Sequence, residues 1–197
     1  MKLPTGVEVI PMTTHRDDRG ALTEIFREEW GTGLNLVQWN LAKNETNVLR
    51  GPHVHLIHDD YLMVVAGQAR VGLRDLRKGS TTEGLSARLD VTTDELTAIV
   101  IPTGVLHGFY FPEPSIHVYA VTHYWDPVHD EYGCRWDDPG LGIDWGVADP
   151  ILSEKDRSLP PLSKLVDLVH EKHVSIRGRY RKQLERHREV VGRLGDG

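Results

Sequence analysis

The sequence has a single cysteine, Cys134, and no apolar run long enough to cross a membrane. One cysteine allows no disulfide within the chain, which is typical of a reducing compartment. The N-terminus lacks the apolar core of a signal peptide. Positive charge is also in deficit, because the net charge is −6 at pH 7. These absences predict a cytoplasmic protein with no membrane partner and no nucleic-acid partner.

Short strand-like runs, separated by turn signals, fill the first 125 residues. Apolar and polar residues often alternate within them, and turns such as Pro102-Thr103-Gly104 divide them. The predicted strands are Val7–Met12, Ala21–Phe26, Leu34–Leu41, Tyr61–Ala66, Ala69–Leu76, Ala98–Ile101, Gly108–Phe111 and His117–His123. Leu85–Leu96 fits either a strand pair or a poor helix. The pattern predicts an all-β fold, a sandwich or a jelly-roll barrel.

The composition and periodicity of the sequence change after Asp126. The segment up to residue 162 is rich in Asp, Gly and Trp with little periodicity, so we expect it to fold back irregularly over the barrel. Lys164–Val169 and Arg179–Leu194 show short helical patterns. We therefore divide the chain into a barrel domain, 1–162, and a basic helical extension, 163–197. A basic run of this kind is usually a solvated helix face or a subunit contact.

Histidines cluster in two elements that neighbouring strands could bring together. His53 and His55 precede Asp60 and Gly67, and His107 follows a Pro-x-Gly turn. This spacing resembles the double signature of the cupin superfamily, which implies a jelly-roll barrel with a pocket. Imidazole and carboxylate ligands suit Fe, Mn, Ni, Zn or Cu. One interpretation is therefore a metal-dependent enzyme whose divalent transition metal is bound by His53, His55, Asp60 and His107.

A second resemblance covers far more of the chain. Its motifs keep their order through residues 7–162. They are Asp17-Asp18-Arg19-Gly20 with Glu24-Ile25-Phe26, Gln38-Trp39-Asn40, Asn47–His53, Ile101–Phe109, Trp136–Pro139 with Gly142–Trp145, and Pro150–Asp156. Together they resemble the dTDP-4-dehydrorhamnose 3,5-epimerase family. The resemblance implies an isomerase of deoxysugar biosynthesis that needs no cofactor and acts on a nucleotide-diphosphate 4-keto-6-deoxyhexose. It also implies a homodimer formed by strand exchange near the N-terminus.

The same resemblance implies roles for individual residues. His53 matches the general base, Asp156 matches its carboxylate partner, and Tyr119 matches the residue that returns a proton on the opposite sugar face. A hydrogen next to a ketone is acidic enough for an imidazole to remove it. The positions that match substrate-binding residues are Arg19, Glu24, Phe26, Gln38, Asn40, Arg50, His55, Asp60 and His107. Guanidinium groups such as Arg19 and Arg50 suit bidentate contacts to a diphosphate.

Three positions depart from the family pattern. Asp60 stands where the family has a lysine that stabilises the enolate oxygen, His55 stands where it has a glutamine, and Trp125 stands where it has a tyrosine. An anion at residue 60 would oppose the developing negative charge unless it were protonated or paired. The run Arg50-Gly51-Pro52-His53-Val54-His55 also resembles the sugar 3,4-ketoisomerases. Epimerisation, ketoisomerisation and metal-dependent chemistry therefore stay open at this point, as does a binding-only protein that keeps the sugar-nucleotide pocket.

Overall fold

The computed structural model describes residues 1–30, 32–126 and 128–172 of the chain. The strands of this part are β1 (Glu8–Pro11), β2 (Thr14–Asp17), β3 (Gly20–Thr23), β4 (Gln38–Asn44), β5 (Val48–Val54), β6 (Asp60–Ala66), β7 (Gln68–Asp75), β8 (Ser86–Thr92), β9 (Thr97–Ile101), β10 (Val105–Phe111), β11 (Ser115–Val121) and β12 (Tyr132–Gly133). The helices are two 3₁₀ turns, Glu28–Trp30 and Pro139–Leu141, the α-helix α1 (Glu154–Arg157), and a second α-helix, α2, over residues 162–172.

Two antiparallel five-stranded sheets form the barrel. The first has the strand order β1-β9-β6-β11-β4 and the second has the order β12-β5-β10-β7-β8, while β2 and β3 make a separate hairpin. Alternate residues of the strands fill the space between the sheets with side chains such as Leu62, Val71, Ile99, Val105 and Phe111. The predicted all-β jelly-roll architecture is confirmed.

The strand β5 carries His53, yet the strand predictions above omit it. In a sequence, the Gly51-Pro52 pair in the middle of this strand is a turn signal. In the structure Gly51 has φ +84° and its bond to Pro52 is cis. Pairing with β10 on one side and β12 on the other nevertheless keeps the segment extended. The ambiguous residues 85–96 contain one strand, β8.

The segment after β12 packs over the second sheet, as the sequence predicted. Trp145 is buried against Gly72 of β7 and Gly108 of β10, where a Cβ atom on either glycine would clash with the indole ring. Helix α2 buries Leu162, Leu165 and Val169 in a cluster with residues that follow β5 and β7. The predicted helix Arg179–Leu194 lies outside the described residues. No helix in the described part of the chain is long and apolar enough to span a membrane.

Candidate active site

A cavity of about 560 Å³ opens between the two sheets. It brings together eight of the residues predicted from the sequence, namely Asn40, Arg50, His53, His55, Asp60, His107, Tyr119 and Asp156. The first sheet contributes its inner face through β4, β6 and β11, and the second contributes β5 and β10. Six of these eight residues lie on strands, whereas His55 follows the end of β5 and Asp156 lies on α1.

His53 and Asp156 form a hydrogen-bonded pair in the wall of this cavity. The His53 Nε2 to Asp156 Oδ1 distance is 2.7 Å, across 103 residues of sequence. A carboxylate only accepts, so His53 donates through Nε2 and its Nδ1 becomes the nitrogen available to take a proton. The structure thus gives His53 the arrangement of a general base held by a carboxylate.

The position of Asp156 follows from local capping. Ser153 is the N-cap of α1, and its Oγ accepts a hydrogen bond of 3.0 Å from the Asp156 backbone N–H. The second carboxylate oxygen accepts from the backbone N–H of Gly51 at 3.4 Å. Burial raises the pKa of Asp156, but the bonds from His53, Ser153 and Gly51 outweigh it and bring the pKa below its usual value. Asp156 is therefore an anion that can stabilise an imidazolium.

Glu131, which no motif in the sequence marks, flanks the other side of the His53 ring. Its Oε1 lies 3.6 Å from His53 Nδ1 and forms an ion pair with Lys155. Burial raises the pKa of Glu131, but the bond from Lys155 and the nearby His53 and Trp125 lower it overall. A protonated His53 would consequently lie between two carboxylates.

Tyr119 lies in the cavity on β11, in the sheet opposite the one that carries His53. Burial raises the pKa of its hydroxyl, and the negative charges of Asp60 and Glu131 raise it further. The phenol consequently stays protonated at neutral pH and can donate a proton. A sugar bound between the sheets would have His53 on one face and Tyr119 towards the other.

Arg50 is held at the cavity by two residues that sequence reasoning missed. Its Nε donates to Asn44 Oδ1 at 2.6 Å, and Asn44 Nδ2 lies 2.9 Å from His117 Nδ1. An amide N–H₂ group only donates, so His117 accepts at Nδ1. Burial lowers the pKa of His117 to about 4, which keeps it neutral beside Arg50. The guanidinium is thereby oriented for an anionic ligand.

His55, Asp60 and His107 meet at the closed end of the cavity. All three are buried, and Asp60 Oδ2 lies 3.8 Å from His107 Nε2. Burial lowers the pKa of His55 well below its usual value and that of His107 to about 4. Burial also raises the pKa of Asp60 to about 7, against the opposing charge of His58. These are three residues that could hold a metal; His53, the fourth in the sequence-based set, bonds to Asp156 instead.

Comparison with known proteins identifies the family to which this arrangement belongs. Residues 2–164 match the family model described as dTDP-4-dehydrorhamnose 3,5-epimerase. The chain belongs to the dTDP-4-dehydrorhamnose 3,5-epimerase family. It is therefore an isomerase-class enzyme, an epimerase of deoxysugar biosynthesis.

Individual relatives agree with this assignment. The dTDP-4-dehydrorhamnose 3,5-epimerase of Methanothermobacter thermautotrophicus is 34% identical over 167 residues, covering 80% of this chain and 90% of that protein. The one from Pseudomonas aeruginosa is 35% identical over 150 residues, covering 72% and 82%. A 3'-monoepimerase from Streptomyces bikiniensis, solved in complex with dTDP-quinovose, superposes with a TM-score of 0.80 at 25% identity, covering 91% and 96%.

Four residues that the epimerase resemblance assigns to substrate binding lie away from this cavity in the described chain. The Arg19 side chain is 90% exposed and pairs with Asp17. Glu24 pairs with Arg27, and Phe26 packs edge-on against Trp39 and Tyr61. Gln38 donates to Asn40, which does line the cavity, and accepts from the backbone of Trp125. Arg19, at the turn of the β2–β3 hairpin, is thus exposed to solvent.

Proposed function

We propose that this epimerase inverts a carbon next to the ketone of a nucleotide-diphosphate 4-keto-6-deoxyhexose, with dTDP as the nucleotide. The observation that carries the proposal is the hydrogen bond of 2.7 Å between His53 and Asp156 inside a cavity of sugar-nucleotide size. The solved relative bound to dTDP-quinovose supports the nucleotide and the class of sugar. No cofactor enters the steps below, and the cytoplasmic location stays a prediction.

The chemistry begins with proton abstraction. His53 Nδ1 takes the proton from the carbon beside the ketone, and the electron pair of that C–H bond moves into an enolate with negative charge on the ketone oxygen. Asp156 and Glu131 stabilise the imidazolium that forms. Tyr119 then donates its hydroxyl proton to the opposite face of the same carbon, which inverts the centre. Proton exchange with solvent afterwards resets His53 and Tyr119.

Solvent-deuterium uptake tests this proposal. The wild-type enzyme, incubated with dTDP-4-keto-6-deoxyglucose in D₂O, is expected to yield sugar carrying deuterium at the epimerised carbon. NMR of the product locates the label at one carbon or at two and separates epimers from a 3-keto isomer. A 3-keto product would assign ketoisomerisation, and absence of uptake above the rate without enzyme would refute the proposed function.

We further propose a homodimer in which the β2–β3 hairpin of each subunit supplies Arg19 to the cavity of its partner. In the described part of the chain, strand β4 ends the first sheet, and its outer face exposes Trp39 and Leu41 by 43% and 62%. Exposed apolar groups beside an open sheet edge favour pairing with a second chain. Arg19 points out of its own subunit, so an exchange of hairpins would bring it to the diphosphate of the other site.

Subunit mixing checks this arrangement. Arg19→Ala and His53→Ala are each expected to inactivate their homodimers, whereas dimers refolded from an equal mixture regain about one quarter of wild-type activity. Half of those dimers are mixed, and one of their two sites combines an intact His53 with Arg19 of the partner subunit. If Arg19 acted within its own subunit, both sites of a mixed dimer would be defective and activity would not return.

A further inference from the structure

The two positions in the closed end of the cavity that differ from the family pattern, His55 and Asp60, come together in space with His107. One potential ligand atom from each residue lies within 4.8 Å of those from the other two. Their exposed fractions are 9%, 6% and 5%. Two sequence departures therefore converge on one buried point beside the general base.

Hydrogen bonds fix the orientation of both imidazoles. His55 Nδ1 lies 2.9 Å from the carbonyl oxygen of Asp130, and His107 Nδ1 lies 3.1 Å from that of Val105. A carbonyl only accepts, so both rings donate through Nδ1 and leave the lone pair on Nε2. A backbone carbonyl that holds the far nitrogen of a histidine is a recurrent feature of metal ligands, because it fixes the tautomer and the ring orientation.

We propose that His55 Nε2, His107 Nε2 and a carboxylate oxygen of Asp60 bind a divalent transition-metal ion. Two neutral imidazoles with one carboxylate suit ions of the first transition row. Asp60 Oδ2 lies 3.8 Å from His107 Nε2, against roughly 3.4 Å for two ligands of a tetrahedral ion at bond lengths of about 2.1 Å. A shift of a fraction of an ångström would bring this pair of atoms to that spacing, and the His55 ligand atom lies within 4.8 Å of both.

Neighbouring histidines fit this role less well because their nitrogens have other partners. His53 Nε2 bonds to Asp156, which removes it from the four-residue set predicted from the sequence. His58 Nδ1 bonds to Asp130 Oδ2 at 2.5 Å, and the other oxygen of Asp130 accepts two backbone N–H groups. In the group made by His55, His58 and Asp130, hydrogen bonds already engage both carboxylate oxygens of Asp130 and Nδ1 of His58, while His58 Nε2 lies 3.7 Å from Asp60 Oδ2.

The role of the ion, though not its binding, rests on the proposed function. Asp60 contributes one negative charge and a divalent cation two positive charges, so the occupied site carries a net charge of about +1. The family pattern places the positive charge of a lysine at residue 60, near the enolate oxygen. A divalent cation bound beside His53 would supply comparable stabilisation for negative charge on a substrate oxygen.

Metal titration of the untagged full-length protein tests the site. After EDTA treatment and desalting, calorimetry with Zn²⁺ is expected to show one tight equivalent per chain, and Co²⁺ to give the visible absorption of a low-coordinate site. Asp60→Asn and His55→Gln each weaken that binding by about 100-fold or more, because loss of a ligand exceeds the effect of losing an outer partner. His15→Gln, at an exposed histidine of the β2–β3 hairpin, is the matched control and binds like wild type.

The outcomes separate the two proposals. Equal affinity in wild type and Asp60→Asn, with both proteins folded by circular dichroism, would overturn the metal site, as would wild-type protein that binds neither ion. Deuterium exchange that persists undiminished in the EDTA-treated enzyme would keep the proposed function and refute a role for the ion. If the protein bound one equivalent of metal ion tightly but catalysed no deuterium exchange, the metal site would stand and the proposed function would be refuted.

Discussion

His53→Asn is expected to lower the rate of deuterium exchange and of product formation by about 10³-fold, within the range typical of a lost general base. The asparagine amide has no basic nitrogen to take the proton, although its size and polarity are close to those of the imidazole. The measurement is kcat on the 4-keto sugar nucleotide, with the exchange rate in D₂O followed by mass spectrometry. Both rates fall together, since both need the same C–H bond to break.

Binding provides the control for this prediction. Arg50 and Asn44 hold the proposed diphosphate contact independently of His53, so the affinity of His53→Asn for dTDP by calorimetry is expected to stay within a few-fold of wild type. Arg50→Ala shows the converse, with a raised KM and a weaker affinity for dTDP. If His53→Asn kept most of its exchange rate, or lost dTDP affinity as Arg50→Ala does, His53 would not be the base.

The barrel was predictable from local patterns, whereas the strand that bears the base was not. Strands such as β6 and β9 are continuous apolar runs buried on both faces, and their residue types favour extended structure. In β5 the same extended conformation is imposed by ladders with β10 and β12. Gly51 and Pro52 have no intrinsic strand preference, so tertiary pairing decides their conformation.

The residues of the candidate site likewise divide into those that the sequence pointed to and those that it did not. The pairing of His53 with Asp156 was implied by family resemblance and has no local signal, because 103 residues separate the two. Glu131 and Asp130 were missed because they lie in an aperiodic segment where acidic residues usually face solvent. Only the return of that segment to β5 places them beside His53 and His55. A sequence shows which residues can do chemistry, but burial and pairing decide which of them meet.

Asp130→Ala is expected to destabilise the protein by ~3–5 kcal/mol, the cost of breaking a buried charged network by removing one member. Asp130 is fully buried, and its Oδ1 accepts from the backbone N–H groups of Leu56 and Ile57 at 2.6 and 2.7 Å. Its Oδ2 holds His58 at 2.5 Å. Truncation leaves the two backbone N–H groups, of which that of Leu56 is buried, and the buried imidazole of His58 without these bonds. Urea denaturation measures the change in the free energy of unfolding.

Asp126 offers a matched control four residues away. Its carboxylate makes the same set of bonds, to the backbone N–H groups of Val128 and His129 and to the His129 ring, at 3.0, 3.1 and 2.8 Å. The side chain of His129 is 73% exposed and that of Asp126 is 37% exposed, so water can replace each bond. Asp126→Ala is therefore expected to lower the free energy of unfolding far less than Asp130→Ala does. Asp130→Asn keeps an acceptor for the two N–H groups, so its free energy of unfolding should fall between those of the alanine variants.

Equal losses of stability in Asp126→Ala and Asp130→Ala would show that burial does not set the contribution of Asp130. A larger loss of stability at Asp130 would indicate that this one carboxylate keeps the segment from His55 to Asp60 ordered.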